Sequence, residues 1–129
     1  MKIHHIGYAV LDLESSIKIF NKLGFSVDSE ICIDYKRDVK IVFMSNYTYT
    51  IELISPITSN SPVTRILKKN GSTPYHICYY TDNIDKKITE LRKEGFILIE
   101  SPEPAQAIEN KKVSFLINKH VGVIELIER

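Results

Sequence analysis

Two adjacent histidines stand at the start of the first apolar stretch of the chain, "IHHIGYAV" at residues 3–10. An imidazole can bind a metal ion or transfer a proton near neutral pH, so each histidine is a candidate for chemistry. Successive residues of a β-strand point to opposite faces, and we therefore expect only one of His4 and His5 to face a given site.

A third histidine lies in a stretch that repeats the first one. The segment "HIGYAVLDLESSIKIFNKLGF" at 5–25 aligns without a gap to "HICYYTDNIDKKITELRKEGF" at 76–96, so His76 matches His5 and lies 71 positions after it. The tripeptide "IEL" at 51–53 recurs at 124–126, which matches Glu125 to Glu52. This agreement indicates a duplicated module.

Each copy of the module predicts the order βαβββ. In both copies the helix is indicated by apolar residues at helical spacing between the first two strands. Asp12 and Asn83 are suitable N-caps of these helices, and Gly24 and Gly95 stand where a left-handed residue would end them. The strands are predicted over 3–10, 26–34, 38–45 and 49–55 in the first copy, and over 75–81, 96–101, 112–118 and 121–127 in the second.

The expected architecture is a single α+β domain over residues 1–129, with a curved, mostly antiparallel sheet around a cavity. Its two repeats cover about 1–55 and 75–129. A linker at 56–74 joins them, with Pro and Gly near its ends and a short helical pattern at Val63, Ile66 and Leu67.

The alternation within the strands selects four ionisable residues at matched positions. His5 and His76 lie on the strand face opposite the one expected to pack on the helix. Glu52 and Glu125 are each isolated between two apolar neighbours. Two neutral imidazoles and two carboxylates neutralise a divalent cation and leave positions open for water or substrate. The pattern therefore predicts a metal site formed by His5, Glu52, His76 and Glu125, with Ni, Co or Zn as the ion, since imidazole suits these metals.

Two other residues near this set have simpler interpretations. His4 is expected to be structural or exposed, because it points away from the face that carries His5. Cys78 follows His76 on the same face, but its repeat counterpart is Gly7, which favours a small residue of the cavity wall over a metal ligand.

The composition limits the possible partners and compartment. Lysine and arginine number 17 against 16 acidic residues, so the net charge of +1 gives no support for nucleic acid or a membrane surface as the partner. The two cysteines lack CxxC spacing, and the N-terminus lacks the apolar segment of a secretory signal. We expect a soluble, cytoplasmic protein that acts on a small molecule.

The four ligand candidates, the tandem βαβββ pattern and the linker "IELISPITSNSPVTRILKKNG" together resemble the vicinal oxygen chelate superfamily. Within it, residues 51–71 and 76–96 are most similar to methylmalonyl-CoA epimerase, while the set of two histidines and two glutamates is also that of glyoxalase I, lactoylglutathione lyase. The resemblance implies a metal in a U-shaped sheet, a substrate chelated through vicinal oxygens and an enolate intermediate. It also implies a homodimer.

The resemblance suggests roles and leaves alternatives. Glu125 is the predicted base, with Glu52 as its pseudo-symmetric alternate, and the substrate is a small acyl thioester or a 2-oxo hemithioacetal. The position where some epimerases carry a second catalytic glutamate falls on Ile41, which cannot move a proton. An epimerase-like isomerase is therefore the first hypothesis, a glyoxalase I-type lyase the second, and a drug-binding or ligand-binding protein without catalysis the third.

Overall fold

The computed structural model describes residues 1–129, which divide into two compact units. The N-terminal unit is Ile6–Tyr75, and the C-terminal unit combines Met1–His5 with His76–Arg129. The elements are, in chain order, β1 (Ile3–Ala9), α1 (Leu13–Lys22), β2 (Ser26–Val27), β3 (Cys32–Asp34), β4 (Val39–Asn46), β5 (Tyr49–Pro56), α2 (Pro62–Asn70), β6 (Thr73–Thr81), α3 (Ile84–Lys93), β7 (Ile97–Ala105), a 3₁₀ turn (Gln106–Ile108), β8 (Lys111–Asn118) and β9 (Gly122–Glu128).

The tandem βαβββ order and the α+β class are confirmed, with one difference in the first copy. The strand predicted over 26–34 is two short strands, because β2 pairs with the end of β4 and β3 pairs with its beginning. Between them, the hydroxyl of Ser29 accepts the backbone N–H of Phe43 at 2.9 Å. A side chain thus takes the hydrogen bond that a continuous strand would have made with its backbone.

In the N-terminal unit, β4 pairs antiparallel with β5 and β5 pairs parallel with β1. One face of this sheet packs on α1, as predicted from the repeat. Leu53 of β5 is fully buried in this core, together with Val10, Leu13, Val42, Met44 and Ile51, and with Ile6, Tyr8, Ile17, Phe20 and Phe25 packed around them.

The C-terminal unit repeats this arrangement. Strand β6 pairs parallel with β9, β9 pairs antiparallel with β8, and β8 pairs antiparallel with β7. Leu126 takes the place of Leu53 in a core with Ile84, Ile88, Leu116 and Ile124. The chain start joins this unit, since the backbone N–H of Tyr80 donates to the carbonyl oxygen of Lys2 at 2.9 Å.

The helix ends are also as predicted. The Asp12 carboxylate accepts the N–H of Ser15 at 2.9 Å, and the Asn83 side chain accepts that of Lys86 at 2.9 Å. Gly24 and Gly95 have φ angles of +97° and +87°, a region that favours glycine. None of the three helices has both the length and the apolar character that crossing a membrane requires.

Candidate metal centre

Three of the four predicted ligands lie together within the C-terminal unit. His5 comes from the chain start, His76 from β6 and Glu125 from β9, and the three residues are almost fully buried, at 1%, 3% and 3% exposure. The strand register explains the position of the carboxylate. Glu125 lies beside Cys78 on the parallel neighbour β6 and opposite Phe115 on the antiparallel neighbour β8.

The ligand atoms of these residues form a nearly equilateral triangle. Nε2 of His5 lies 3.2 Å from Nε2 of His76 and 3.1 Å from Oε2 of Glu125, and the third side, from His76 Nε2 to Glu125 Oε2, is 3.2 Å. The ring of Phe115 meets the His76 ring edge to face at a centroid distance of 5.4 Å. The three donors therefore converge in a buried, partly aromatic environment.

The triangle has the dimensions of one face of a metal coordination polyhedron. With metal–ligand bonds of about 2.1 Å, neighbouring ligand atoms are about 3.0 Å apart in an octahedron and about 3.4 Å apart in a tetrahedron. The observed sides fall between these values. In addition, Oε2 of Glu125 is buried without a hydrogen-bond partner of good geometry, which is costly unless another group satisfies it. Both observations fit a bound divalent cation.

The lowered pKa of Glu125 also fits a metal ligand. Burial alone would raise the pKa of its carboxyl group, but the close imidazoles of His5 and His76 outweigh burial and hold this pKa below the ordinary range. The group is therefore a carboxylate near neutral pH. A charged oxygen beside two imidazole nitrogens is a ligand set suited to zinc, nickel or cobalt.

Glu52 lies in the N-terminal unit, where its strand neighbours correspond to those of Glu125. It is 5% exposed, sits beside Gly7 on the parallel neighbour β1 and opposite Phe43 on the antiparallel neighbour β4. These contacts are the repeat counterparts of Cys78 and Phe115. The duplication thus reproduces the register that places a buried glutamate in the last strand of each copy.

The sequence predicts that His4 is structural or exposed, whereas the structure places it in contact with the predicted ligand His5. Nδ1 of His4 lies 2.6 Å from Nδ1 of His5, and the two rings meet edge to face. Burial, followed by the neighbouring His5, lowers the pKa of His4 to about 4, although Glu125 opposes this shift. The two adjacent histidines were the sequence signal for this contact, but strand alternation predicted that their side chains point to opposite faces.

A second group of possible ligands, formed by His4, His5 and Cys78, fits a metal less well. The 2.6 Å between the two Nδ1 atoms is shorter than the roughly 3 Å separating neighbouring ligands in a coordination shell. This distance is instead that of a short hydrogen bond. Cys78 is fully buried and packs with Ala105, Val113 and Ile127, as a wall residue would.

Ile41 lies on β4 and is 7% exposed, with Ile54 of β5 and Cys32 of β3 as its cross-strand partners. The Ile41 side chain itself has no group that can exchange a proton. The N-terminal unit therefore has an apolar side chain at the position where some epimerases carry a second catalytic glutamate.

Comparisons with known proteins agree with the fold. Residues 4–115 match the model of the glyoxalase/bleomycin resistance protein/dioxygenase superfamily. The chain is 30% identical to mouse mitochondrial methylmalonyl-CoA epimerase over 94% of its own length and 68% of that protein. It is also 30% identical to an ethylmalonyl-CoA/methylmalonyl-CoA epimerase of Cereibacter sphaeroides, over 89% of this chain and 87% of the relative.

A solved structure of methylmalonyl-CoA epimerase from Mycobacterium tuberculosis shares the fold, with a TM-score of 0.84 at 22% identity over 98% of this chain and 86% of that one. The resemblance inferred from the tandem pattern is thereby confirmed. This chain belongs to the glyoxalase/bleomycin resistance protein/dioxygenase superfamily, among relatives that include methylmalonyl-CoA epimerases.

Proposed function

We propose that this protein is a divalent-metal-dependent, epimerase-like isomerase that forms the enolate of a small acyl thioester. The observation that carries the proposal is the convergence of His5 Nε2, His76 Nε2 and Glu125 Oε2 to within 3.2 Å of one another in a buried position. The relatives named as methylmalonyl-CoA and ethylmalonyl-CoA epimerases support a 2-alkylmalonyl thioester as the substrate.

His5, His76 and Glu125 would hold the ion, and Glu52 is the proposed fourth ligand because its strand neighbours match those of Glu125. This set balances the charge of a divalent cation. We expect nickel, cobalt or zinc, since imidazole nitrogens suit these ions better than calcium or magnesium. When bound, such an ion supplies polarisation of the thioester carbonyl, which stabilises the charge that develops as the α-proton leaves.

We assign proton removal to Glu125, with Glu52 as the alternate. The lowered pKa of Glu125 makes it a weak base, so the reaction depends on an α-carbon that has been made more acidic. Epimerisation also requires proton delivery to the opposite face of that carbon. Because Ile41 cannot deliver a proton, we expect exchange of the α-proton with solvent to be faster than inversion of the stereocentre.

Two measurements on protein purified without a histidine tag test this proposal. Metal analysis should find close to one nickel, cobalt or zinc ion per chain, whereas calcium alone would contradict a site built on imidazoles. Deuterium incorporation at the α-carbon of methylmalonyl-CoA and ethylmalonyl-CoA in D₂O should depend on that metal. The inversion rate is measured in the same reactions, by the stereochemistry of the recovered thioester.

The outcomes separate the competing functions. Metal-dependent exchange only with the methylglyoxal–glutathione hemithioacetal would replace the epimerase-like proposal by a glyoxalase I-type lyase. A metal-loaded protein that binds the thioesters without exchanging a proton would be a binding protein, and the catalytic proposal would fail. Glu125→Gln serves as the inactive control, because an amide cannot accept the proton.

A further inference from the structure

We infer that His4 is a positioning residue that orients the His5 ring and fixes which of its nitrogens carries the proton. This inference rests on the proposed metal site, for which His5 must present an unprotonated Nε2. The contact that carries it is the 2.6 Å separation between Nδ1 of His4 and Nδ1 of His5.

A contact this short between two ring nitrogens requires one proton between them, with one nitrogen donating and the other accepting. Nε2 of His5 faces Glu125 and His76, where a ligating nitrogen must offer its lone pair. When Nε2 binds an ion, the His5 proton resides on Nδ1 and is donated to Nδ1 of His4. His4 in turn carries its own proton on Nε2.

This arrangement is the one by which metal-binding histidines are generally oriented. The second ring nitrogen of a ligating histidine donates to a nearby acceptor, which holds the ring and increases the basicity of the ligating nitrogen. The acceptor is usually a carboxylate, a carbonyl or water. Here a neighbouring imidazole takes that position.

The His4 ring is itself held by its surroundings. It packs edge to face against Tyr80 at a centroid distance of 4.9 Å and an interplanar angle of 89°. The Tyr80 backbone N–H donates to Lys2, and the Arg129 guanidinium lies 5.4 Å from the Tyr80 ring centre. Because Tyr80 is held by these contacts, the His4 ring packed against it presents Nδ1 in a defined direction.

Metal affinity of His4 variants tests the inference. His4→Leu removes the acceptor, whereas His4→Asn keeps a carbonyl oxygen near the position of Nδ1. Zinc or cobalt titration should show an affinity 10- to 100-fold weaker for His4→Leu, in the range typical of such outer partners, and largely restored for His4→Asn. The matched control is His120→Ala, which removes an exposed histidine of the same unit.

A nitrogen NMR measurement on the zinc-loaded protein tests the His4–His5 hydrogen bond independently of the affinity. In the native protein the Nδ1 proton of His5 should be shifted downfield and protected from solvent exchange by its donation to His4, and His4→Leu should remove this protection. The melting temperatures of the variants, measured alongside, report any general loss of structure.

Each outcome has a defined meaning. Unchanged affinity in His4→Leu, equal losses in His4→Leu and His4→Asn, or an Nδ1 proton of His5 that is no better protected in the native protein than in His4→Leu would overturn the positioning role. If native protein binds neither zinc nor cobalt, the proposed metal function fails instead. A downfield ring N–H signal of the metal-free protein that is lost in His4→Leu still shows in that case whether the His4–His5 hydrogen bond exists.

Discussion

The two units place a glutamate at the same point of their last strand but surround it differently. Glu52 and Glu125 each lie opposite a phenylalanine on the antiparallel neighbour and beside a small residue on the parallel neighbour. In the C-terminal unit the chain start adds His5, so that Glu125 contacts a histidine from each repeat. The register is thus the same in both units, and the cluster depends on the chain start, which lies in the C-terminal unit.

The largest expected effect comes from comparing the two glutamates. Glu125→Gln should reduce α-proton exchange by at least about a hundredfold, because the assigned base is lost. Glu52→Gln should weaken metal binding but leave measurable exchange at saturating metal. The two variants are compared by deuterium incorporation with nickel, cobalt or zinc added in excess, and by circular dichroism to establish that both remain folded.

The reverse result would also be informative. If Glu52→Gln abolishes exchange at saturating metal and Glu125→Gln does not, the roles of base and alternate must be interchanged. Complete loss of α-proton exchange in both variants would mean that proton removal requires both carboxylates.

A second comparison concerns the two cores. Leu53 and Leu126 are repeat counterparts, and both are fully buried on the strand that carries the glutamate. Replacing either by alanine removes apolar contacts and leaves a cavity, at a cost of about 2–5 kcal/mol in the free energy of unfolding. Urea denaturation measures this cost, with Leu23→Ala as the control because Leu23 is 63% exposed.

Equivalent packing predicts similar losses for the two leucine variants. A loss below about 1 kcal/mol in one of them would show that its core collapses around the cavity, and that the two units are not matched in packing.

The smallest effect distinguishes the two helix ends. Gly24 and Gly95 both have positive φ, so alanine should destabilise each by about 1 kcal/mol. A Cβ added at Gly24 would lie 3.1 Å from Nδ2 of Asn46, whereas one at Gly95 would lie 3.6 Å from Nδ2 of Asn118. We therefore expect Gly24→Ala to be slightly more destabilising in thermal or urea unfolding.

The contribution of that crowding can be isolated. Combining Gly24→Ala with Asn46→Ala removes the close atom, along with the 3.4 Å hydrogen bond that Asn46 donates to the Leu23 carbonyl oxygen. The excess cost of Gly24→Ala should disappear in this background. If it persists, the difference between the two helix ends has another origin.

The repeated elements could be predicted from the sequence because their signals are local. The helical spacing of apolar residues, the caps at Asp12 and Asn83, and the glycines that end both helices depend on a few neighbouring residues. Strand alternation likewise selected His5, His76 and the two glutamates as one matched set. The interruption between β2 and β3 was not predicted, since it depends on a contact between Ser29 and a residue of another strand.

Which ligand atoms meet, and what surrounds them, depends on contacts between distant parts of the chain. The 3.1–3.2 Å triangle of His5, His76 and Glu125 joins residues that are far apart in the sequence, and its size depends on strand register and side-chain rotation together. The His4 contact has the same origin. Alternation fixes the direction of a Cα–Cβ bond, but the ring beyond it rotates freely in the unfolded chain, and packing against Tyr80 determines where its nitrogen points.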